Sequence, residues 1–244
     1  MDMTAKVKGI LFDKDGTLFD FNATWAVWAY DFLTDLVGGD APKAAFLGGA
    51  LGFDYAHRTF HPESPVIAGT AEEVASYIKP FVPDVPDAEL LDRMNAAAAV
   101  APQVEAVPLA PLLAELRARG LKLGVATNDA EHPARAHLVK AGVLEEFDFV
   151  AGFDSGFGGK PQPGQLLAFA DQHGLDPSEV VMIGDSLHDL HAGRAAGMRC
   201  IGVLTGMASG PDLSPHADVV LPDIGFLPDW LTQQDLWPEL ETQR

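Results

Sequence analysis

The chain has 244 residues, 48% of them hydrophobic and 21% charged, a balance that supplies a packed core and excludes disorder as the default. Its net charge of -19 comes with no Lys/Arg-rich block, which argues against nucleic acid and anionic membrane surfaces as partners, because both are gripped by clustered cations. Cys200 is the single cysteine, so neither an intrachain disulfide nor a cysteine-rich metal site is available.

The first apolar run, residues 7–12, has strand length and leads directly into "DKDGTLFD". From about 20 to 104 the pattern turns helical. The segments "ATWAVWAYDFLTDLVGG", "AEEVASYIKP" and "DAELLDRMNAAAAV" space their apolar residues for helices between Pro- and Gly-containing breaks. So long a stretch is too large for a loop. Residues 20–104 are therefore expected to form a helical domain inserted into a core made of 1–19 and 105–244. Within it, "DYAHRTFH" gathers Arg58 with two histidines, a group that suits a substrate carboxylate but also suits a solvated face. Trp25 and Trp28 read as packing residues near the entrance to the insertion.

Strand-length apolar runs follow at 121–126, 147–150, 180–183 and 200–204, separated by amphipathic segments at 111–120, 164–174 and 187–197 that each close on a glycine. Several runs are apolar nearly throughout, as strands covered on both faces should be. The alternation predicts an α/β fold, an open parallel sheet with helices on both faces. The segment "DIGFLPDWLTQQDLWPELETQR" carries exposed-looking tryptophans that either pack back on the core or meet another subunit. With no signal-type leader and no run long enough to span a bilayer, a cytoplasmic protein is expected.

Three of the strand-like runs end on polar residues: Asp13, Thr127 with Asn128, and Asp185. Ligands of open α/β sheets bind at the carboxyl ends of the strands, so these residues should converge. In an extended chain Asp13 and Asp15 would face one side while Lys14 points elsewhere, and Gly16 would let the chain turn away. Carboxylates so close, joined by Asp185 and Asp189, would repel unless a hard divalent cation sat among them, and oxygen donors suit Mg2+. Lys160 adds a positive charge. A calcium loop does not fit, because anchoring it on Gly16 makes Leu11 the first ligand and Asn22 the bidentate acid. Ser186 is placed to N-cap the next helix and Asp189 to complement its dipole, a role compatible with metal support. His188 and His191 read as surface or insertion-facing residues.

The motifs "DKDGT" (13–17), "TN" (127–128), "GKP" (159–161) and "GDSLHD" (184–189), in this order, resemble the haloacid dehalogenase-like superfamily of hydrolases. The trailing "AGRAAGMRCIGVLTG" is similar to its phosphoglycolate phosphatase branch. The resemblance implies a Rossmann-like α/β/α core with an α-helical cap at 20–104, and a Mg2+-dependent phosphatase acting on a small phosphorylated metabolite, phosphoglycolate first. Asp13 would be the nucleophile, and Asp15 would protonate the leaving alcohol and then deprotonate the attacking water. Thr127 and the backbone at Asn128 would hold phosphoryl oxygens, with Lys160 offsetting charge and Arg58 a candidate for substrate contact. Asp13, the Asp15 carbonyl and Asp185 would bind Mg2+, with Asp189 in support. A phosphosugar mutase would use the same residues, whereas a phosphometabolite-binding protein without catalysis would have lost the nucleophile or the acid. Asp15 argues against the dehalogenase branch, because a halide leaves without a proton. The residue between the two aspartates is commonly apolar in the family; here it is Lys14.

Overall fold

The first apolar run forms β1 (Gly9–Phe12), buried throughout, in the computed structural model, which describes residues 5–238. The chain continues through α1 (Phe21–Leu36), α2 (Ala41–Ala50), a short hairpin of β2 (Phe53–Asp54) and β3 (Thr59–Phe60), α3 (Ala71–Ile78) and α4 (Asp87–Val100). From α5 (Leu109–Ala118) onward strand and helix alternate. The order is β4 (Lys122–Ala126), α6 (Glu131–Lys140), β5 (Phe149–Ala151), α7 (Gly164–His173), β6 (Val180–Gly184), α8 (Leu187–Ala196), β7 (Arg199–Val203), α9 (Gly210–Leu213), β8 (Val219–Leu221) and α10 (Leu227–Gln233).

Six strands form one sheet in the order β5-β4-β1-β6-β7-β8, and every neighbouring pair is parallel. The period-2 alternation of a strand decides which helices cover it. Ile10, Phe12, Val125 and Ile183 pack with leucines of α5, α6 and α10 on one face, while Leu11 and Met182 pack with Phe169 and Ala192 of α7 and α8 on the other. The result is the Rossmann-like parallel sheet between helical layers that the apolar runs foretell. α7 and α8 end on Gly174 and Gly197 in the left-handed region, at φ 62° and 80°.

The inserted segment builds a hydrophobic cluster of its own, centred on Phe32, Leu33, Leu47, Phe53, Ile78 and Leu90. Its outgoing and returning chains run side by side: Asp20 N–H donates to the Val104 carbonyl at 2.8 Å and Ala106 N–H to that of Leu18 at 2.9 Å. The Asp20 side chain caps α1 through the Ala23 N–H, and a Thr70/Glu73 capping box starts α3.

At the other end of the chain, Leu227, Leu231 and Leu236 enter the main core, and the half-buried Trp230 and Trp237 pack against it. Arg119 lies 4.7 Å over the Trp237 ring. Up to residue 238 this segment therefore packs back on its own core, and residues 239–244 of the same stretch lie outside the described residues. No helix among the described residues is long and apolar enough to cross a membrane.

Candidate active site

Because β4, β1 and β6 are adjacent and parallel, the residues that follow them, Asp13, Thr127 and Asp185, emerge together at one edge of the sheet. β1 stops at Phe12 and the chain turns over residues 14–18, with Gly16 at φ 81° and its carbonyl held by Thr205 Oγ1 at 2.6 Å. The turn brings the backbone against Asp185: a Cβ on Gly16 or Gly206 would collide with the Asp185 carboxylate. Lys160 arrives from the loop between β5 and α7, and Asp189 from the first turn of α8.

Oxygen atoms of the buried Asp13, Asp185 and Asp189 lie within 4.8 Å of one another. Lys160 Nζ donates to Asp13 Oδ1 and to Asp189 Oδ1, each at 2.6 Å. The other oxygen of Asp189 accepts the Ser186 N–H at 3.0 Å and its Oγ–H at 2.7 Å, so one carboxylate both caps α8 and faces the cluster.

Three buried carboxylates thus share one ammonium. Burial pushes the Asp13 carboxyl up to about 7, against the pull of Lys160 and helped by the charges of Asp189 and Asp15. Asp185 is also pushed well above the usual carboxylate range, by burial first and then by Asp13 and Asp189. Burial works against the charge on Lys160, but Asp13 and Asp189 outweigh it and hold the ammonium protonated. An all-oxygen donor set short of positive charge fits a hard divalent cation.

The Asp15 carboxylate departs from expectation. It does not join Asp13 in the cluster; both its oxygens face Lys14 Nζ, at 2.7 and 2.6 Å. Only a chain extended through Asp15 would turn both carboxylates to one side, and the strand has already ended at Phe12. Lys14 accordingly does not point away from Asp15 but folds back onto it, fully buried, with Asp129 Oδ2 at 3.3 Å and His137 Nδ1 at 3.0 Å. His137 Nε2 lies 2.7 Å from the Ala98 carbonyl, so Nε2 carries the hydrogen and Nδ1 accepts from Lys14. Burial and then Lys14 push the His137 pKa down to about 4, so the ring is neutral. Asp129 and His137 escaped the sequence reading. The signal for Asp129 was its place directly after "TN"; His137 sits on α6 with no motif partner.

Thr127 Oγ1 accepts the Asp129 N–H at 3.0 Å, so its own O–H remains a donor toward the cavity it lines. The Asn128 side chain is a tie: Nδ2 donates to the Lys160 carbonyl at 2.9 Å and to Ala68 of the insertion at 2.7 Å, and Oδ1 accepts the Lys160 N–H at 2.8 Å. Arg58 is not brought to the site. It is exposed at the tip of the β2–β3 hairpin, with φ 54° and its guanidinium 3.6 Å over the Tyr30 ring, and it is not among the residues lining the cavity. The histidine-rich run expected as a solvated face is largely that. His188 lines the cavity, while His191 meets His216 at 3.3 Å. Trp28 is buried and stacked on Phe32, and Trp25 is half-buried and lines the cavity.

The model of the haloacid dehalogenase-like hydrolase family matches residues 7–197. The chain belongs to that family. A phosphoglycolate phosphatase of Rhodospirillum rubrum is 38% identical over 120 residues, 49% of this chain and half of that protein's length (50%). The phosphoglycolate phosphatase of Neisseria meningitidis is 30% identical over 231 residues, 91% of this chain and 92% of that one. Among solved structures, a predicted phosphoglycolate phosphatase from Haemophilus somnus 129pt superimposes with a TM-score of 0.72 at 19% identity, covering 92% of this chain and 97% of the other. At that identity the superposition speaks for the fold. The matched span contains Asp13, Asp15, Thr127, Lys160, Asp185 and Asp189.

Proposed function

We propose that this haloacid dehalogenase-like hydrolase is a Mg2+-dependent phosphatase of small phosphorylated metabolites that carries the phosphoryl group on Asp13. The observation that supports it most is the division of labour between two neighbouring aspartates. Asp13 sits in the buried carboxylate cluster beside Lys160, and Asp15 is held apart from it by Lys14. The full-length relatives named as phosphoglycolate phosphatases support the same chemistry.

Lys160 takes Asp13 Oδ1 and leaves Oδ2 as the attacking oxygen. Attack on phosphorus breaks the ester bond, and Asp15 would deliver the proton to the departing alkoxide oxygen. The carboxylate so formed takes a proton from water, whose oxygen then attacks the phosphorus and returns Asp13 to its free form. Thr127 Oγ–H and the backbone at Asn128 would orient the phosphoryl oxygens, and Lys160 would offset their charge. Asp13, Asp185 and the Asp15 carbonyl would hold the Mg2+, with Asp189 in support; the ion would neutralise developing charge on the phosphoryl group. Residues 20–104 act as the cap that closes the cavity, and the protein works in the cytoplasm.

A panel of phosphate monoesters, including phosphoglycolate, scored for free phosphate and for isomerised product with and without Mg2+, tests the proposal. Phosphate release that needs Mg2+ is expected. Isomerised sugar phosphate in place of phosphate would instead make the protein a mutase, and no reaction with any ester would sink both.

A further inference from the structure

We propose that the leaving group accepted by this site is uncharged and largely apolar, an alkyl or aryl alcohol and not a hydroxy acid, an inference that rests on the phosphatase assignment of the same cavity. The space bounded by the cavity's lining residues, open solvent included, is about 660 Å³, and its two sides differ in character. The core contributes the carboxylates, Thr127, Asn128, Lys160, Ser186 and His188. The insertion contributes a roof that includes Phe21, Trp25, Val66, Val74 and Met94, with Asn95 as its one polar side chain among the described lining residues.

A phosphoryl group seated against Asp13 directs the rest of the ester toward that roof, and among the described residues no cation lines it. Lys160 is committed to Asp13 and Asp189 on the core side. Lys14 lies behind, with its donors spent on Asp15, Asp129 and His137. Arg58, the one cation anticipated from the insertion, is stacked on Tyr30 outside the cavity. His188 enters from α8, on the same side as the carboxylates. A carboxylate on the leaving group would therefore lose water against apolar surface with no counter-charge, opposite a core side lined by Asp13, Asp15, Asp129, Asp185 and Asp189. An alkyl or aromatic group in the same place would bury apolar surface and meet the rings of Phe21 and Trp25.

The roof is anchored, not loose. Ala68 is tied to Asn128 at 2.7 Å, the Ala98 carbonyl to His137 at 2.7 Å, and the Met94 carbonyl to the Trp28 indole N–H at 3.3 Å. A cavity held this way selects by the surface it already presents.

The test compares kcat/KM, with Mg2+ present, for phosphoglycolate, for its amide 2-phosphoglycolamide, which keeps the size and removes the charge, and for 2-phenylethyl phosphate. The amide is expected to exceed the acid roughly tenfold and the phenylethyl ester to exceed the amide by a similar factor, chiefly through lower KM. Trp25→Ala is expected to erase most of the phenylethyl advantage while leaving the acid-to-amide ratio unchanged. Phosphoglycolate hydrolysed as well as or better than its amide would overturn the inference and leave the phosphatase assignment standing. Absence of phosphate release from all three and from the wider panel would overturn both.

Discussion

Lys14 spends its N–H donors entirely inside the protein, on Asp15, on Asp129 and on the neutral ring of His137. Burial pulls this ammonium toward neutrality, but the charges of Asp15 and Asp129 outweigh it and keep it protonated. Its Nζ also lies 5.6 Å from the Trp25 ring. A fixed cation at both oxygens of Asp15 sets the direction of the carboxyl that, in the proposed mechanism, would reach the leaving-group oxygen. Lys14→Met is accordingly expected to lower kcat by roughly 10–100-fold with a smaller change in KM. It should also cost roughly 3–5 kcal/mol in urea unfolding, because Asp15 and Asp129 would be left without their cation. Native kcat in a folded variant would make Lys14 a bystander. The sequence could not disclose this arrangement. Motif order identified Asp13, Lys160, Asp185 and Asp189, but the direction of Lys14 depended on where β1 ends, a matter of one or two residues.

At the scale of elements, the site is made by neighbouring strand ends and by one cross-link between loops. Asn128, just past β4, joins the Lys160 loop to Ala68 of the insertion through three hydrogen bonds. Each contributes on the order of 1 kcal/mol, so Asn128→Ala should lower kcat/KM by roughly tenfold or more by loosening Lys160 and the roof together. Steady-state kinetics checks this, and unchanged kinetics would show that the tie has no bearing on turnover. The buried strands were legible because β1, β6 and β7 are apolar at nearly every position. β8 was not, since three residues at the edge of the sheet are too few to show a period, and two of them are only partly buried. The β2–β3 hairpin was missed for the same reason: two residues per strand leave no alternation to read, and the turn at Arg58 uses no glycine.

Across the whole molecule, two hydrophobic bodies meet over a cavity whose core side is acidic, in a chain of net charge -19. Without a bound cation that acidity has a stability signature. Asp13 ionises at about 7 in the folded chain against 3.8 as its reference, and Asp185 is shifted the same way. Between those values the folded state holds protons that the unfolded chain has released. The stability these groups contribute is therefore full at low pH and lost as pH rises toward about 7. The metal-free protein should show a Tm that falls between about pH 4 and 7. Mg2+ at a hundredfold excess over its Kd should raise stability by about 2.7 kcal/mol, roughly 5–10 °C in Tm, with a larger shift at the higher pH where the carboxylates are free to bind. Thermal melts with chelator and with Mg2+ measure both, and a Mg2+ shift independent of pH would contradict the carboxylate cluster as the binding site.

The central claim is that Asp13 carries the phosphoryl group. Acid-quenching the enzyme during turnover of a good ester with Mg2+ present, followed by peptide mass mapping, should find phosphate on the peptide containing Asp13 and none in the Asp13→Asn variant. Steady turnover with no phosphorylated peptide, or with the phosphate on another residue, would contradict it.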